Sequence, residues 1–186
     1  EKDLVRVRGE GKVEQGALQE LSEAWVKINS DAAVQQDKEK AGWGLVARDW
    51  QKEVVGAWTV SGSSCSTPKK EEALALRAAM LVAKQQGWRR LEFESDCKYV
   101  IDRINYEEDD VDIATVLLDI KRLKLSFYEC CFFFTRRINN SVSHHIAKFA
   151  TNLKETAEWK SDFPASLLEL VQADCRGSCS KDCNLV

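Results

Sequence analysis

Residues 26–31 read Val-Lys-Ile-Asn-Ser-Asp, so that apolar and polar side chains alternate up to a closing acid, Asp31. A period of two is typical of a β-strand that buries one face. Two further strand-like stretches follow at residues 41–49 and 54–60, each separated from the preceding one by polar turn residues. Three consecutive strands with short connections predict an antiparallel meander.

A crossover helix is predicted after the meander. Thr67 can cap this helix, Pro68 suits its first turn, and apolar residues recur at helical spacing until Gly87. The strand-like stretch 90–96 follows and ends on another acid, Asp96. Because a strand reached through a helix normally pairs in parallel with an earlier strand, the predicted sheet is mixed.

The remaining pattern completes an α/β fold. Helical patterns cover residues 97–105 and 112–125, an aromatic-rich strand is predicted at 127–135, and a further helix at 141–154. The order β-β-β-α-β-α-α-β-α predicts a five-stranded mixed sheet, with three antiparallel strands and then parallel additions, and with helices on both faces.

Composition divides the 186 residues into three parts. Residues 1–24 are polar and weakly patterned, which predicts an N-terminal arm or linker, and residues 25–154 form the predicted domain. Residues 155–186 are expected to form a C-terminal extension with a flexible tail. This tail carries three evenly spaced cysteines, Cys175, Cys179 and Cys183. Their spacing matches no familiar zinc pattern and supplies only three ligands.

The charge balance limits the possible partners. A net charge of −3 gives no general attraction to nucleic acid or to anionic membranes, so any nucleic-acid binding must come from local basic patches. The sequence lacks the run of about 18 apolar residues that would predict a membrane span. No secretory leader is visible, and seven cysteines, an odd number, fit a reducing compartment. We therefore expect an intracellular protein, nuclear or cytoplasmic, and a monomer.

Three acids stand out by position rather than by type. Asp31 and Asp96 each end a predicted strand, and Glu72 lies in the first helical turn, at the edge of an apolar stripe. Taken singly, the two aspartates could be turn residues, and Glu72 could simply favour the helix dipole. Taken together, they would meet at one sheet edge if the two strands are neighbours. Hard oxygen ligands of this kind suit Mg²⁺ or Mn²⁺.

A series of short motifs links these acids to a known family. In chain order they are KINSDAA (27–33), GWG (42–44), RD (48–49), EEALALRAA (71–79), ESD (94–96), and Arg137–x2–Asn140–x–Val142–x3–Ile146-Ala147. With these motifs in this order and spacing, the stretch from about Trp25 to Leu153 resembles the plant ribonuclease H-like domains. Such domains are found beside retrotransposon reverse transcriptases and as stand-alone proteins.

The resemblance implies a two-metal hydrolase with Asp31, Glu72 and Asp96 at its first three ligand positions and Mg²⁺ or Mn²⁺ as cofactor. It departs at the fourth acid, where His144 stands. A neutral imidazole can bind a metal but supplies no charge, and it suits Mn²⁺ better than Mg²⁺. The alternative is that His144 is only a partly exposed helix residue. Ala32 also replaces the usual glycine after the first acid, where a Cβ could crowd the substrate.

The implied substrate is an RNA/DNA hybrid, which proteins recognise mainly through shape, backbone charge and the 2′-hydroxyl. The candidate phosphate contacts precede the helices that carry Glu72 and His144. They are Lys69, Lys70, Arg136, Arg137 and Asn140.

Three hypotheses follow. The first is a metal-dependent endonuclease that cuts the RNA strand of the hybrid. The second is a catalytically weakened module that binds nucleic acid or protein, which Ala32, His144 and the acidic net charge favour. The third is a protein–protein scaffold on the same fold. The sequence identifies no protein partner.

Overall fold

A mixed β-sheet forms the centre of the structure, a computed structural model that describes residues 25–35, 37, 39–63, 67–153, 156–160 and 162–177. Its strands are β1 (Trp25–Gln35), β2 (Lys40–Arg48), β3 (Val54–Ser63), β4 (Arg90–Ser95), β5 (Glu129–Phe134) and β6 (Ala157–Trp159). The helices are α1 (Pro68–Gln85), α2 (Lys98–Asn105), α3 (Ala114–Lys124), α4 (Ser141–Ala150) and α5 (Ala165–Gly177). A 3-10 turn, Arg137–Asn140, leads directly into α4.

The sheet order is β5-β4-β1-β2-β3-β6. β1, β2 and β3 form the predicted antiparallel meander, and β4 pairs in parallel with both β1 and β5. The predicted mixed α/β fold is confirmed. The predicted strand count of five is wrong, because β6 adds a sixth strand antiparallel to β3. Three residues are too few to show alternation, and the position of β6 depends on a distant partner, with the backbone N–H of Ala157 donating to Thr59 Oγ1 at 3.0 Å.

Helices cover both faces of the sheet, as predicted. On one face, Leu45 and Trp58 belong to the larger core beneath α1, α2 and α3. On the opposite face, Val46 and Ala57 pack in a smaller core formed with α4 and α5. Neighbouring residues of β2 and β3 thus enter different cores, because successive strand side chains point to opposite faces.

Two glycines let α4 lie directly against β2. A Cβ on Gly42 would collide with the carbonyl oxygen of Ala147, and a Cβ on Gly44 would collide with the carbonyl oxygen of Ser143. Only glycine permits such a close approach of helix and strand. Since Gly44 pairs with Asp31 across the β1–β2 ladder, this approach brings α4 over the end of β1.

The end of the domain differs in detail from the predicted pattern. α4 ends at Ala150 rather than at residue 154, and the hydroxyl of Thr151 donates to the Lys148 carbonyl at 2.8 Å. β6 and α5 lie within the predicted extension 155–186 and pack on the sheet and on α4. Cys175 lies in α5, whereas Cys179, Cys183 and residues 1–24 are outside the described part of the chain. Among the residues that the structure describes, no helix has the length and apolar character needed to cross a membrane.

Candidate metal centre

Two parallel strands and one helix bring the three predicted acids together. Ser30 of β1 pairs with Ser95 of β4, so the residues that follow them, Asp31 and Asp96, emerge at the same edge of the sheet. Glu72 reaches this edge from the first turn of α1. One carboxylate oxygen from each acid lies within 4.8 Å of the other two.

Burial and mutual repulsion raise the pKa values of two of these acids. Asp31 is 1 % exposed, and its burial, followed by the charge of Asp96 and a hydrogen bond with it, raises the pKa of Asp31 to about 8. Burial, followed by the charges of Asp31 and Asp96, raises the pKa of Glu72 to about 9. The positive charge of Arg137 opposes both shifts. Without a cation, the cluster therefore retains protons at neutral pH.

One oxygen of the cluster has no partner in the described part of the chain. Glu72 Oε2 is buried and accepts no hydrogen bond there, although the backbone N–H of Ala32 donates to the Glu72 carboxyl group. An unpaired buried carboxylate oxygen is energetically costly, and a divalent cation would compensate for that cost. A buried set of oxygen donors is also the ligand chemistry that Mg²⁺ and Mn²⁺ prefer, so the residues present fit such an ion.

His144 lies against this cluster. Its Nδ1 is 2.8 Å from Asp31 Oδ2, and its Nε2 is 3.0 Å from Arg137 Nη2. Arg137 Nη2 also lies 3.2 Å from His144 Nδ1, so the guanidinium contacts both ring nitrogens, and Nδ1 shares a hydrogen bond with Asp31 Oδ2. Partial burial, followed by the positive charges of Arg137 and Lys148, lowers the pKa of His144, so the ring is neutral at pH 7. The neighbouring His145 is exposed and donates from Nδ1 to the Ser141 carbonyl at 2.7 Å.

The predicted phosphate contacts lie in different surroundings. Arg137 is exposed at the mouth of the cluster, with Nη1 3.9 Å from Asp96 Oδ2, and Arg136 beside it is exposed as well. Lys70 is half-buried near the start of α1. Lys69 forms salt bridges with Asp110 at 3.1 Å and with Asp112 at 2.8 Å, so its charge is already compensated within the protein.

Asn140, the remaining predicted substrate contact, is buried and hydrogen-bonded within the protein. It is 1 % exposed, its Nδ2 donates to the Ser30 carbonyl at 3.0 Å, and its Oδ1 accepts from Asn29 Nδ2 at 3.2 Å. These two bonds hold the Asn140 amide inside the protein. Asn140 ties the start of α4 to β1, one residue before Asp31.

A buried polar network that we did not predict supports this attachment. Asn29 Oδ1 accepts from Arg48 Nη1 at 2.9 Å, and Asn29 Nδ2 also donates to Glu94 Oε2 at 2.9 Å. On the other side of the sheet, Trp43 Nε1 donates to Glu71 Oε2 at 2.9 Å and anchors the first turn of α1. The position of Asn29 in β1, two residues before Asp31, could have indicated a role near the site. Its hydrogen-bond partners could not be predicted, because they come from distant parts of the chain.

Comparisons with known proteins agree with this fold. A family model described as reverse transcriptase-like matches residues 29–150, and no curated protein matches the chain in sequence. The structure is similar to ribonuclease H1 from Halobacterium salinarum, with a TM-score of 0.64 and 20 % identity, over 68 % of this chain and 96 % of that one.

Two further solved structures are similar. The N-terminal ribonuclease H domain of a Mycobacterium tuberculosis protein has a TM-score of 0.62 and 19 % identity, over 69 % of this chain and 94 % of that one. LC11 ribonuclease H1, solved in complex with an RNA/DNA hybrid, has a TM-score of 0.62 and 16 % identity, over 68 % of this chain and 96 % of that one. At these identities the likeness shows a shared fold.

Proposed function

This chain belongs to the reverse transcriptase-like family and has a ribonuclease H-like fold, and from that premise we propose that it is a metal-dependent endonuclease that hydrolyses the RNA strand of RNA/DNA hybrids. The observation that carries the proposal is the convergence of Asp31, Glu72 and Asp96 within 4.8 Å where the parallel pairing of β1 and β4 ends. The unpaired Oε2 of Glu72 adds a chemical reason for a cation at this place.

In this proposal Asp31, Glu72 and Asp96 hold Mg²⁺ or Mn²⁺. When bound, two such ions would supply the activation of a water molecule and the stabilisation of the leaving oxygen of a phosphodiester. The protein surroundings bury Asp31, so that little bulk water competes with a cation for its carboxylate oxygens. His144 is the proposed fourth ligand, with its Nδ1 2.8 Å from Asp31 Oδ2.

The proposed substrate-binding residues are Arg137, Arg136 and Lys70. Arg137 and Arg136 are exposed, and Lys70 is half-buried near the start of α1. Arg137 is best placed, because its guanidinium lies at the cluster mouth, where a planar fork can bind phosphate oxygens. Lys69 would first have to release Asp110 and Asp112. A hybrid substrate is supported by the similar LC11 enzyme, whose structure contains one.

The decisive experiment is cleavage of a labelled RNA/DNA hybrid by the full chain in Mg²⁺ or in Mn²⁺. We expect Asp96→Asn to lower the rate by more than the roughly 10- to 100-fold that loss of an outer-shell partner of a metal site costs. Asp119→Asn is the matched control, because it makes the same chemical change at an exposed salt bridge on α3. Equal cleavage by wild type and Asp96→Asn would remove the assignment.

The same assay compares the two metals. We propose that the rate is higher in Mn²⁺ than in Mg²⁺, because His144 stands in place of a charged oxygen ligand and imidazole suits Mn²⁺ better. A clear preference for Mg²⁺ would show that His144 is not a ligand.

The second candidate function is a catalytically weakened module that binds hybrids without cutting them. The observation that favours it is the neutral His144 at the fourth ligand position. This candidate predicts hybrid binding by wild type with no metal-dependent cleavage, and turnover in either metal excludes it. The plant and retrotransposon relation, the intracellular location, the monomeric state and the division at residues 24 and 154 stay predictions.

A further inference from the structure

A groove of about 480 Å³ opens beside the carboxylate cluster. One wall is the end of β1, residues 32–35, and the other is the exposed side of α4 with the turn that follows it. This second wall contributes His144, Lys148, Thr151 and Asn152, and Arg137 of the 3-10 turn before α4 also lines the groove. Because His144 also contacts Asp31 at 2.8 Å, the groove begins where the cluster ends.

The groove carries positive charge and, among the described residues that line it, no acid. Lys148 lies one helical turn after His144, on the same side of α4. It is exposed and forms no ion pair within the described ranges, so its charge is available to a ligand. Both Lys148 and Arg137 act on the cluster, since each lowers the pKa values of Asp31 and His144.

Among the groove residues that follow His144, Lys148 is the one with a charged hydrogen-bond donor. The Thr151 hydroxyl donates to the Lys148 carbonyl at 2.8 Å, and the Asn152 amide donates to the same carbonyl at 3.4 Å. Arg137 marks the near end, because it lines the groove and also lies 3.9 Å from Asp96 Oδ2. Arg137 and Lys148 therefore line the same groove beside the cluster.

We propose that this groove is a subsite for a backbone phosphate of the same nucleic-acid strand whose phosphodiester lies at the carboxylate cluster, with Lys148 as its phosphate-binding residue. This inference rests on the proposed function and adds to it a second phosphate contact along the nucleic-acid strand that is cut. Lys148 supplies a point charge, and Arg137 a bidentate donor shared between the cluster and the groove. The net charge of −3 makes this local pair of cations more important for binding.

Hybrid affinity and its salt dependence test the subsite. The full chain carries Asp96→Asn throughout, so that the strand is not cut, and fluorescence anisotropy follows a labelled RNA/DNA hybrid at several salt concentrations. The variants are Lys148→Ala, Lys148→Arg and, as the matched control, Lys84→Ala. Lys84 is an exposed lysine in the last turn of α1, the end opposite to Glu72, about 18 Å along the helix.

We expect Lys148→Ala to weaken binding about threefold to tenfold and to reduce the salt slope by about 0.9, the value for one lost phosphate contact, whatever the sequence of the hybrid. Lys148→Arg should restore affinity, and Lys84→Ala should leave both quantities unchanged. If Lys148→Ala behaves like Lys84→Ala while the parent chain binds, the subsite is wrong and the proposed function stands. If the parent chain does not bind the hybrid, both are wrong.

Discussion

The carboxyl groups of Glu72 and Asp31 destabilise the fold when they are ionised, and the same groups are the proposed ligands of a cation. Both carboxyl groups are deprived of water and face other acids, which raises their pKa values to about 9 and about 8. The ordinary pKa values are 4.5 for Glu72 and 3.8 for Asp31. Such a pair is unfavourable when ionised alone and favourable with a cation between its oxygens.

This conflict predicts how the stability of the metal-free protein depends on pH. Between the ordinary carboxyl pKa values and about 8 to 9, the folded protein binds more protons at Asp31 and Glu72 than the unfolded chain does. The contribution of these groups to the free energy of unfolding therefore falls as pH rises through this window. Thermal unfolding in a chelator should show this fall, and added Mn²⁺ should raise the Tm more at about pH 8 than at about pH 6.

The control for this experiment is Asp31→Asn, which cannot ionise and should flatten the decline measured in the chelator. An Mn²⁺ effect on the Tm that is equal at both pH values would contradict the prediction, since cation binding would then displace no protons.

Arg137 provides a second prediction at the scale of one side chain. Its guanidinium acts as a counter-cation to Asp96 at 3.9 Å and would repel a metal ion at the cluster. We expect Arg137→Ala to tighten Mn²⁺ binding by about fivefold, the effect of about 1 kcal/mol between charges roughly 4 Å apart in water, while it weakens hybrid binding. Isothermal titration with Mn²⁺ measures the first effect.

The matched control is Arg136→Ala, which removes the same charge from the neighbouring exposed residue. Weaker Mn²⁺ binding by Arg137→Ala than by wild type would show that Arg137 supports the ligands rather than competing with the cation.

At the scale of elements, the contact between α4 and β2 determines where His144 lies. Gly42 and Gly44 remove the side chains that would hold the two elements apart, and Asn140 ties the start of α4 to the Ser30 carbonyl at 3.0 Å. The GWG motif therefore acts on the site from a distance in sequence. It contributes no ligand, but without it α4 could not approach β1 closely enough for His144 to contact Asp31.

We predict that Gly44→Ala lowers the free energy of unfolding by about 1–3 kcal/mol, the usual cost of inserting a methyl group into a filled space. It should also weaken Mn²⁺ binding, because α4 must move away from β1. Gly62→Ala is the control, since a Cβ at Gly62 meets nothing within 4 Å. Urea unfolding of the two variants makes the comparison, and equal stability would contradict the packing argument.

At the scale of the whole molecule, the sheet includes a strand that lies outside the residues matched by the family model. The match covers residues 29–150, yet β6 extends the sheet beyond β3 and α5 completes the smaller core. Leu167 is 2 % exposed and Val171 is 6 % exposed in that core. β6 is thus part of the sheet, and α5 packs in the core on the sheet face that carries α4.

This arrangement predicts the effect of truncation. A chain that ends after residue 154 loses β6 and α5, and with them buried side chains such as Leu167 and Val171, each contributing about 1.5–3 kcal/mol. We expect its free energy of unfolding to fall by several kcal/mol. A chain that ends after Gly177 keeps every described element and should unfold like the full chain. Equal stability of both truncations would mean that residues 25–154 form a sufficient domain.

The sequence by itself was enough to predict the meander, the crossover helix, the parallel fourth strand and the three acids. These features follow from local periodicity and from motif order, which any stretch of chain displays before it folds. The same reasoning missed β6, whose three residues are too short for a pattern, and it did not predict the burial of Asn140, which depends on neighbours that are distant in sequence.

Tertiary structure alone decided how these residues meet. The Ser30–Ser95 register places Asp31 beside Asp96, and the close approach of α4 brings His144 to Asp31 across 113 positions of sequence. It also decided the charge states, because desolvation and the distance between like charges set the pKa of a carboxyl group, and neither is a property of the residue type. The sequence predicted the three acids, and packing brings them together at one site.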